Sequence, residues 1–293
     1  MRQPYPGDIV PLLPQFLTRR RAKLDFPLRA AEELGIDRPA FQLAMALEQA
    51  GPSGISDREL AGPYATKRDQ WSAAAAAASG AGLAEQADGR WRITELGHQT
   101  AKRLRAAAHA HLASLDVLPA DDLRRLADLL ERAFQAVARA PEPAVRERTP
   151  RAFRFRADVP PPSPLVALEN AIQGLWTVRD DCHIAAWRAE GIDGPTLDVL
   201  TRIWRCEAPT VAELAPKLAL QGPEDVTAAV ERLRAGGRVA PGEPLALTDE
   251  GSRFRQRIEH ETDRLFFTPW PDDVGAQAAW IGERLRAVNE KLA

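Results

Sequence analysis

Apolar positions along most of the chain recur at intervals of three and four residues, the spacing that places side chains on one face of a helix. The remaining positions are filled mainly by Ala, Leu, Arg and Glu, which are strong helix formers. Two segments show the pattern most clearly, with inward positions at Trp71, Ala74, Ala75 and Ala78 in one and at Val226, Ala229, Val230 and Leu233 in the other. The pattern therefore predicts a mainly α protein without a long β-sheet.

The same pattern of elements occurs twice. The sequence GIDRP at residues 35–39 returns as GIDGP at residues 191–195, and ITELG at residues 93–97 returns as LTDEG at residues 247–251. The offset between copies is 156 residues at the first motif and 154 at the second, so order and spacing are both kept. Self-similarity of this kind indicates one structural unit that is present twice, with short changes in its loops.

Each copy predicts the same order of elements. A helix follows the Gly-Ile-Asp-x-Pro turn, because proline is tolerated in the first turn of a helix. A short helix follows, with Ser56 as its cap and Glu59 three residues later, and with Thr210 and Glu213 at the matching positions of the second copy. A third helix, a two-stranded hairpin and a long helix complete the unit. We predict third helices at about 66–79 and 223–235, hairpins at 83–93 and 238–247, and long helices from Thr94 and Thr248.

A segment rich in proline and arginine separates the two copies. Three successive prolines stand at residues 160–162. Proline fixes φ and removes a backbone donor, so such a segment is typical of an extended, semi-rigid connector. We therefore predict a first domain at residues 1–140, a linker at 141–163 and a second domain at 164–293.

The order helix, short helix, third helix, hairpin and long helix is that of a winged helix-turn-helix with additional terminal helices. Together with the sequence GLAEQADGR at residues 82–90 and the Thr-led entries to both long helices, it resembles the MarR-type winged helix-turn-helix transcription regulators. Members of that family are usually homodimers whose terminal helices interlock and whose lobes bind DNA. The resemblance implies that this chain is a fused tandem, a single-chain pseudo-dimer that is monomeric.

Composition and charge narrow the expected location and partners. Apolar residues make up 45% and charged residues 27%, which is ordinary for a water-soluble globular protein. No stretch has the length and apolar character of a membrane span or secretion signal, so we expect a cytoplasmic protein without a membrane partner. Residues 1–163 carry 24 Lys and Arg against 20 Asp and Glu, whereas residues 164–293 carry 15 against 21. This asymmetry favours a polyanionic partner for the first unit only.

The resemblance places the third helix in the major groove of double-stranded DNA and the wing against its backbone or minor groove. Arginine and lysine side chains supply phosphate and guanine contacts there. The candidate DNA-binding residues of the first unit are Lys67, Arg68, Gln70, Ser72, Arg90 and Arg92. The alternative interpretation is that they are solvated charges on a turn and a helix end. In the second unit, Glu224, Asp225 and Glu243 occupy the corresponding regions and would be repelled by phosphates, which predicts an unequal pseudo-dimer.

Five of the seven tryptophans lie in the second unit. The resemblance implies a small aromatic or lipophilic effector bound between the dimer helices and a winged lobe, and aromatic side chains can line such a cavity. The candidate ligand-binding residues are Trp176, His183, Trp187 and Trp204. The alternative interpretation is that these side chains only fill a core.

No motif indicates a catalytic residue, a metal site or a cofactor. Cys182 and Cys206 are too few for a zinc site built of thiolates, and the acidic residues before Cys182 are expected to raise its pKa. The sequence contains no catalytic Ser/His/Asp order. It also lacks a phosphate-binding loop and a dinucleotide-binding glycine pattern. The leading hypothesis is a DNA-binding transcription regulator that responds to an effector. Two alternatives stay open: a winged-helix protein that has lost DNA binding and serves as a small-molecule-binding protein or enzyme, and an interaction module whose acidic half docks a basic partner.

Overall fold

The computed structural model describes residues 5–22, 24, 29, 32–67, 71–150, 153 and 163–293, and these are mainly helical. The first half contains α1 (Leu12–Arg19), α2 (Arg38–Ala50), α3 (Asp57–Ala61), α4 (Ser72–Gly80), β1 (Ala84–Ala87), β2 (Arg90–Ile93), α5 (Glu95–Ala113) and α6 (Ala120–Arg139). The second half contains α7 (Pro164–Ala189), α8 (Gly194–Trp204), α9 (Val211–Leu214), α10 (Pro223–Ala235), α11 (Asp249–Phe267), α12 (Asp272–Gly275) and α13 (Ala278–Lys291). Within these described ranges, every helix is too short or too polar to span a membrane.

The same kinds of side chain begin the corresponding helices of the two halves. Asp37 and Asp193 each accept a hydrogen bond from the backbone N–H three residues later, at the starts of α2 and α8. Thr94 and Thr248 do the same at the starts of α5 and α11. A cap of this kind stabilises a helix by about 1 kcal/mol. The helix starts predicted at these four positions are confirmed.

A close backbone approach also occurs at equivalent places in both halves. A Cβ atom on Gly97, in the first turn of α5, would lie 2.3 Å from the carbonyl oxygen of Leu83. A Cβ atom on Gly251, in the first turn of α11, would lie 2.0 Å from the carbonyl oxygen of Arg238. Both distances are shorter than any non-bonded carbon–oxygen contact, so the long helix can cross the base of the wing only where glycine stands.

The first wing has the predicted hairpin. β1 and β2 pair antiparallel, in a register that runs from Ala84 opposite Ile93 to Ala87 opposite Arg90. The Asp-Gly turn between them has positive φ at both residues, 53° and 70°, as a tight hairpin turn requires. The segment before α3 adds a third edge, because Ile55 and Trp91 exchange two backbone hydrogen bonds of 2.9 and 2.8 Å.

We predicted a two-stranded hairpin at residues 238–247 in the second wing. The pairing there is shorter than predicted. It is an isolated bridge between Val239 and Leu247. The carbonyl of Pro209 accepts a 2.7 Å hydrogen bond from the N–H of Leu245 at the third edge, but a proline has no N–H with which to return it. Two further prolines in the wing remove donors in the same way. The pairing that remains is short: the N–H of Ala240 donates to the carbonyl of Ala246, and the N–H of Thr248 donates to that of Arg238.

The third helix of the first half begins later than predicted. We predicted about 66–79, and the described helix α4 runs from Ser72 to Gly80. The backbone N–H groups of Thr66 and Lys67 both donate to the carbonyl of Leu220, at 3.0 and 3.2 Å, so these residues are not helical. The third helix of the second half, α10, has the predicted bounds. The predicted inward positions of both helices are buried, except that Trp71 is half-buried.

Three large apolar clusters hold the described parts of the fold together, and a small fourth one joins Phe41 to Leu104. The largest combines both halves: α6 packs along α7, α11 packs on α7, and α1 packs against α13 and α7. The terminal helices of the two halves therefore interlock. The other two large clusters are the cores of two winged-helix lobes, which we call the first lobe (residues 35–97) and the second lobe (residues 191–251).

The connector between the halves is anchored to both. Arg146 donates to four carbonyl oxygens at the end of α6 and just beyond it. Buried Asp181 of α7 accepts hydrogen bonds from the backbone N–H groups of three successive residues, 147–149, and from the hydroxyl of Thr149. Thr149, Pro150 and Phe153 are helical, so the predicted linker is not extended throughout.

Candidate DNA-binding surface and ligand cavity

The structure places two of the four candidate DNA-binding residues near the start of α4 at the surface. The side chains of Lys67 and Ser72 are exposed. The ammonium of Lys67 has one protein partner, the carbonyl oxygen of Ala219 at 3.3 Å. Arg68 and Gln70 lie outside the described residues.

The two candidate arginines of the wing already have protein partners. Arg90 donates to the carbonyl oxygens of Ser53 and Gly54, at 2.8 and 3.0 Å, and its guanidinium lies 2.8 Å from the carboxylate of Glu59. Arg92 pairs with Asp88 at 3.6 Å. Ion pairs at the surface stabilise by about 0 to 1 kcal/mol, so a phosphate can compete for these arginines, but their net charge at the wing is reduced.

The outward faces of the two third helices differ in chemistry. α4 exposes small side chains, Ala73 and Ala76 among them, which can contact thymine methyl groups but form no hydrogen bond with a base edge. α10 exposes three carboxylates, Glu224, Asp225 and Glu231. Arginines toward its end are paired within the protein: Arg232 with Thr196 and Asp193, and Arg234 with Glu231 and Gly242.

The turns that lead into the two third helices are hydrogen-bonded to each other, a contact that we call the inter-lobe clasp (residues 63–67 with 219–222). Besides the two bonds to the carbonyl of Leu220, the N–H of Gly222 donates to the hydroxyl oxygen of Thr66 at 3.1 Å. Thr66 and Leu220 are 154 residues apart, the same offset as that between Ser56 and Thr210, which cap the short helices just before them. A contact between equivalent positions is what an approximate twofold axis between two copies produces.

The clasp continues onto the second lobe through Pro63 and Tyr64. A Cβ atom on Gly194, at the start of α8, would lie 2.2 Å from the carbonyl oxygen of Pro63, so the turn packs directly on that backbone. The Tyr64 hydroxyl lies 3.3 Å from the carboxylate of Asp180 and accepts from the indole N–H of Trp187 at 3.4 Å. Burial, and then the Asp180 charge, raise the pKa of Tyr64. The sequence carried no local signal for this contact.

The clasp limits the separation of the two third helices. Six Cα-to-Cα steps separate Thr66 from Ser72 and span at most about 21 Å. The hydrogen-bonded pair of Thr66 and Gly222, with the step from Gly222 to Pro223, adds about 11 Å. The starts of α4 and α10 therefore lie within about 32 Å of each other.

A cavity of about 800 Å³ lies beside the clasp, between the first half's amino-terminal segment and the helices α7, α8 and α11. Three of the four predicted ligand-binding residues, Trp176, His183 and Trp204, line it together with Tyr64 of the first half. The fourth, Trp187, is buried and reaches the cavity wall only through its hydrogen bond to Tyr64.

Two large apolar side chains of the cavity wall are exposed to solvent. Trp204 is 51% exposed and Leu220 is 42% exposed, and both line the cavity. Large apolar side chains that stay in contact with water at a concave site are typical of binding sites for small molecules.

The charged groups of the cavity wall are arranged as ion pairs. Arg179 lies 3.2 Å from Glu259 and 3.3 Å from Asp263, and Arg255 also pairs with Glu259. His183 lies among them, and burial, reinforced by the charges of the two arginines, lowers its pKa to about 4 although Glu259 opposes the shift. At neutral pH this imidazole is uncharged.

The cysteines lie apart from each other. Cys182 is buried, and burial, with a contribution from Asp181, raises the pKa of its thiol to about 12 despite the opposing charge of Arg146. The predicted direction of this shift is confirmed, and burial is its larger cause. Cys206 is exposed at the end of α8. Among the described residues, no group of three or more metal-ligating side chains is close enough to hold a metal ion.

Residues 155–293 match the model of a helix-turn-helix family. The match contains all the elements from α7 to α13 and supports a helix-turn-helix DNA-binding domain in the second half, although it covers less than half of the chain. Comparison with curated proteins and comparison with solved structures give no match.

Proposed function

We propose that this protein is a DNA-binding transcription regulator of the MarR type, built as a single-chain pseudo-dimer of two winged-helix units, residues 1–140 and 164–293, joined by residues 141–163. The hydrogen bond from the N–H of Thr66 to the carbonyl of Leu220 is the observation that carries most weight, because it joins equivalent positions of the two copies. The interlocked terminal helices and the helix-turn-helix match of the second half support the same arrangement.

In this proposal the first lobe is the one that binds DNA. Lys67 and Ser72 are exposed near the start of α4, and Arg68 and Gln70 belong to the same stretch of sequence. The second lobe presents carboxylates on α10, which phosphates repel.

The cavity is the proposed effector site, for a small aromatic or lipophilic molecule. A ligand that fills it contacts Tyr64 and Leu220, one from each side of the inter-lobe clasp. A ligand stabilises the conformation in which it makes most contacts, so occupancy of the cavity and the relative position of the lobes are coupled. By linkage, DNA and the effector then alter each other's affinity by the same factor.

The test is a titration of mixed-sequence double-stranded DNA at several salt concentrations. We expect binding at low salt that weakens steeply as salt rises, because phosphate contacts release counterions. Lys67→Ala should weaken binding on all sequences and reduce the slope of log K against log salt by about 1. Lys291→Ala, which removes an exposed lysine of α13, is the matched control. Undetectable binding at low salt, or equal affinities for the two variants, would contradict the proposal.

A second function is favoured by the acidic face of α10 and by the protein partners of Arg90 and Arg92. In this alternative the fold no longer binds DNA, and the cavity serves a small-molecule-binding protein or an enzyme. The two functions differ in one measurement: the alternative predicts ligand binding in the cavity with no salt-dependent DNA affinity, with or without ligand.

A further inference from the structure

The proton on the imidazole of His183 has a fixed position. The hydroxyl of Thr262 is buried in α11 and donates its one hydrogen to the carbonyl oxygen of Ile258, at 2.7 Å. A carbonyl oxygen only accepts, so this direction is unambiguous. The Thr262 oxygen also lies 3.0 Å from Nδ1 of His183 and, having given its hydrogen away, can only accept there. Nδ1 of His183 therefore carries the proton.

The other ring nitrogen of His183 is consequently an acceptor. In a neutral imidazole with its proton on Nδ1, Nε2 presents a lone pair. Among the described residues Nε2 has no hydrogen-bond partner, and it is not enclosed by protein. The side chain is 17% exposed and lines the cavity. The lowered pKa of His183 agrees with this neutral state.

The surroundings of His183 favour an uncharged ligand. Arg179 and Arg255 are both paired with Glu259, which leaves no unpaired charge on this side of the wall for a charged ligand to neutralise. A ligand charge would have to be desolvated without a partner, which is costly. Trp176 and Trp204 give the wall aromatic surface that suits a ring system, and the guanidinium of Arg255 lies 5.5 Å from the ring centre of Trp204.

We propose that the cavity binds an uncharged aromatic molecule that donates an O–H or N–H hydrogen bond to Nε2 of His183. This inference rests on the proposed role of the cavity as the effector site. It assigns the orientation of the ligand: its donor points toward α7, and its ring lies between the indole side chains.

The test compares three probes of one shape on the full chain by calorimetry at neutral pH. 2-Naphthol donates a hydrogen bond, 2-methoxynaphthalene does not, and 2-naphthoate is an anion. We expect 2-naphthol to bind about tenfold more tightly than the other two, since loss of one hydrogen bond with a buried acceptor costs about that factor. Equal binding of the naphthol and its methyl ether, tightest binding of the naphthoate, or no binding of any probe overturns the inference.

Two variants locate the effect at His183. Thr262→Val removes the acceptor that holds the proton on Nδ1, so the ring can carry its proton on Nε2 and the preference for 2-naphthol should fall by several-fold. Thr177→Val is the matched control, because Thr177 of α7 makes the same hydrogen bond to the carbonyl four residues earlier and does not line the cavity. An unchanged preference in a folded Thr262→Val protein would count against the inference, and the probe series on the unaltered chain tests it even if that variant does not fold.

Failure of this inference and failure of the proposed function give different results. If DNA binding depends on Lys67 but the probes show no donor preference, the ligand chemistry assigned here is wrong and the regulator stands. If 2-naphthol is preferred in a manner that depends on Thr262 while DNA affinity is undetectable at every salt concentration, the ligand chemistry stands and the regulator is wrong.

Discussion

The first and second lobes have the same capping residues at their helix starts but differ in the side chains of their cores. At the equivalent inward positions of α4 and α10, Ala75 and Ala78 of the first lobe correspond to Val230 and Leu233 of the second, and all four are buried. At about 0.8 kcal/mol per buried CH₂ group, the second lobe gains several kcal/mol at these positions, offset in part by the half-buried Trp71. The second lobe thus has the larger side chains in its core, and it supplies more of the cavity wall than the first lobe, from which Tyr64 comes.

The surfaces of the two lobes differ in the pairing of the wing and in the charge of the third helix. The first lobe keeps a paired hairpin and the exposed Lys67. The second lobe has a wing paired by an isolated bridge and an acidic third helix. The first lobe therefore has the less acidic surface, and the second lobe has the larger side chains in its core. The helix caps and the close-packed glycines are the same in both lobes, whereas the exposed faces of the same elements differ.

The largest effect is expected at the two glycines where the long helix crosses the base of the wing, and it tests whether this close backbone approach is equivalent in the two lobes. Gly251→Ala places a methyl group 2.0 Å from a carbonyl oxygen, and Gly97→Ala places one at 2.3 Å. Each should lower the free energy of unfolding by about 3 kcal/mol, the upper part of the range for overpacking. Denaturant unfolding measures this loss. Gly275→Ala is the control, since nothing lies within 4 Å of its Cβ position. A neutral result at either glycine would break the equivalence of the lobes.

A second prediction concerns the buried imidazole of the cavity, which has no counterpart among the described residues of the first lobe. The folded protein binds a proton to His183 only near pH 4, whereas the unfolded chain binds one near pH 6.5. The unfolded state therefore holds more protons between these values, and stability falls as pH drops through that window. The loss reaches about 3 kcal/mol at pH 4.

Comparison with His183→Phe isolates this contribution, because the carboxylates that titrate in the same range are common to both proteins. The difference in unfolding free energy between the two should shrink by that amount as pH falls from 7 to 4. A difference that stays constant with pH would show that His183 is not held neutral by the fold.

The local features of both lobes could be predicted from the sequence. The caps at Asp37 and Asp193 and the complete capping box of Ser56 with Glu59 depend on residues within one turn of helix, so their signals are contiguous. Two cavity residues, Trp176 and Trp204, were suggested by the unequal distribution of tryptophan and by a family resemblance.

The contacts between the lobes could not be predicted. Tyr64 is a single residue in a turn, and its partners lie more than a hundred positions away. The late start of α4 has the same origin, because Thr66 and Lys67 give their N–H groups to the other lobe. The weak third edge of the second wing depends on Pro209, whose role is visible only once its partner Leu245 is known.

The inter-lobe clasp gives a third, smaller prediction. Thr66→Val keeps the shape of the side chain and removes the acceptor for the N–H of Gly222. The loss should be about 1 kcal/mol and local to the clasp, seen as faster hydrogen exchange at residues 63–67 and 219–222. Thr227→Val is the control, since the hydroxyl of Thr227 bonds only within α10. Unchanged exchange at the clasp would mean that the two turns are not held by this bond.

The smallest effect tests why the second lobe is expected to avoid DNA. Glu224→Gln and Asp225→Asn together remove two negative charges from the first turn of α10 with little change of shape. Because these carboxylates repel phosphates, we expect DNA affinity at low salt to rise a few-fold, with no gain at high salt where charges are screened. Carboxylates at a helix start interact favourably with the helix dipole, so stability should fall by about 0.5 kcal/mol at the same time. Glu283→Gln on α13 removes an exposed charge away from both lobes and should change neither quantity appreciably. A gain in DNA affinity of the same size in this control would mean that total charge, and not the face of α10, separates the two lobes.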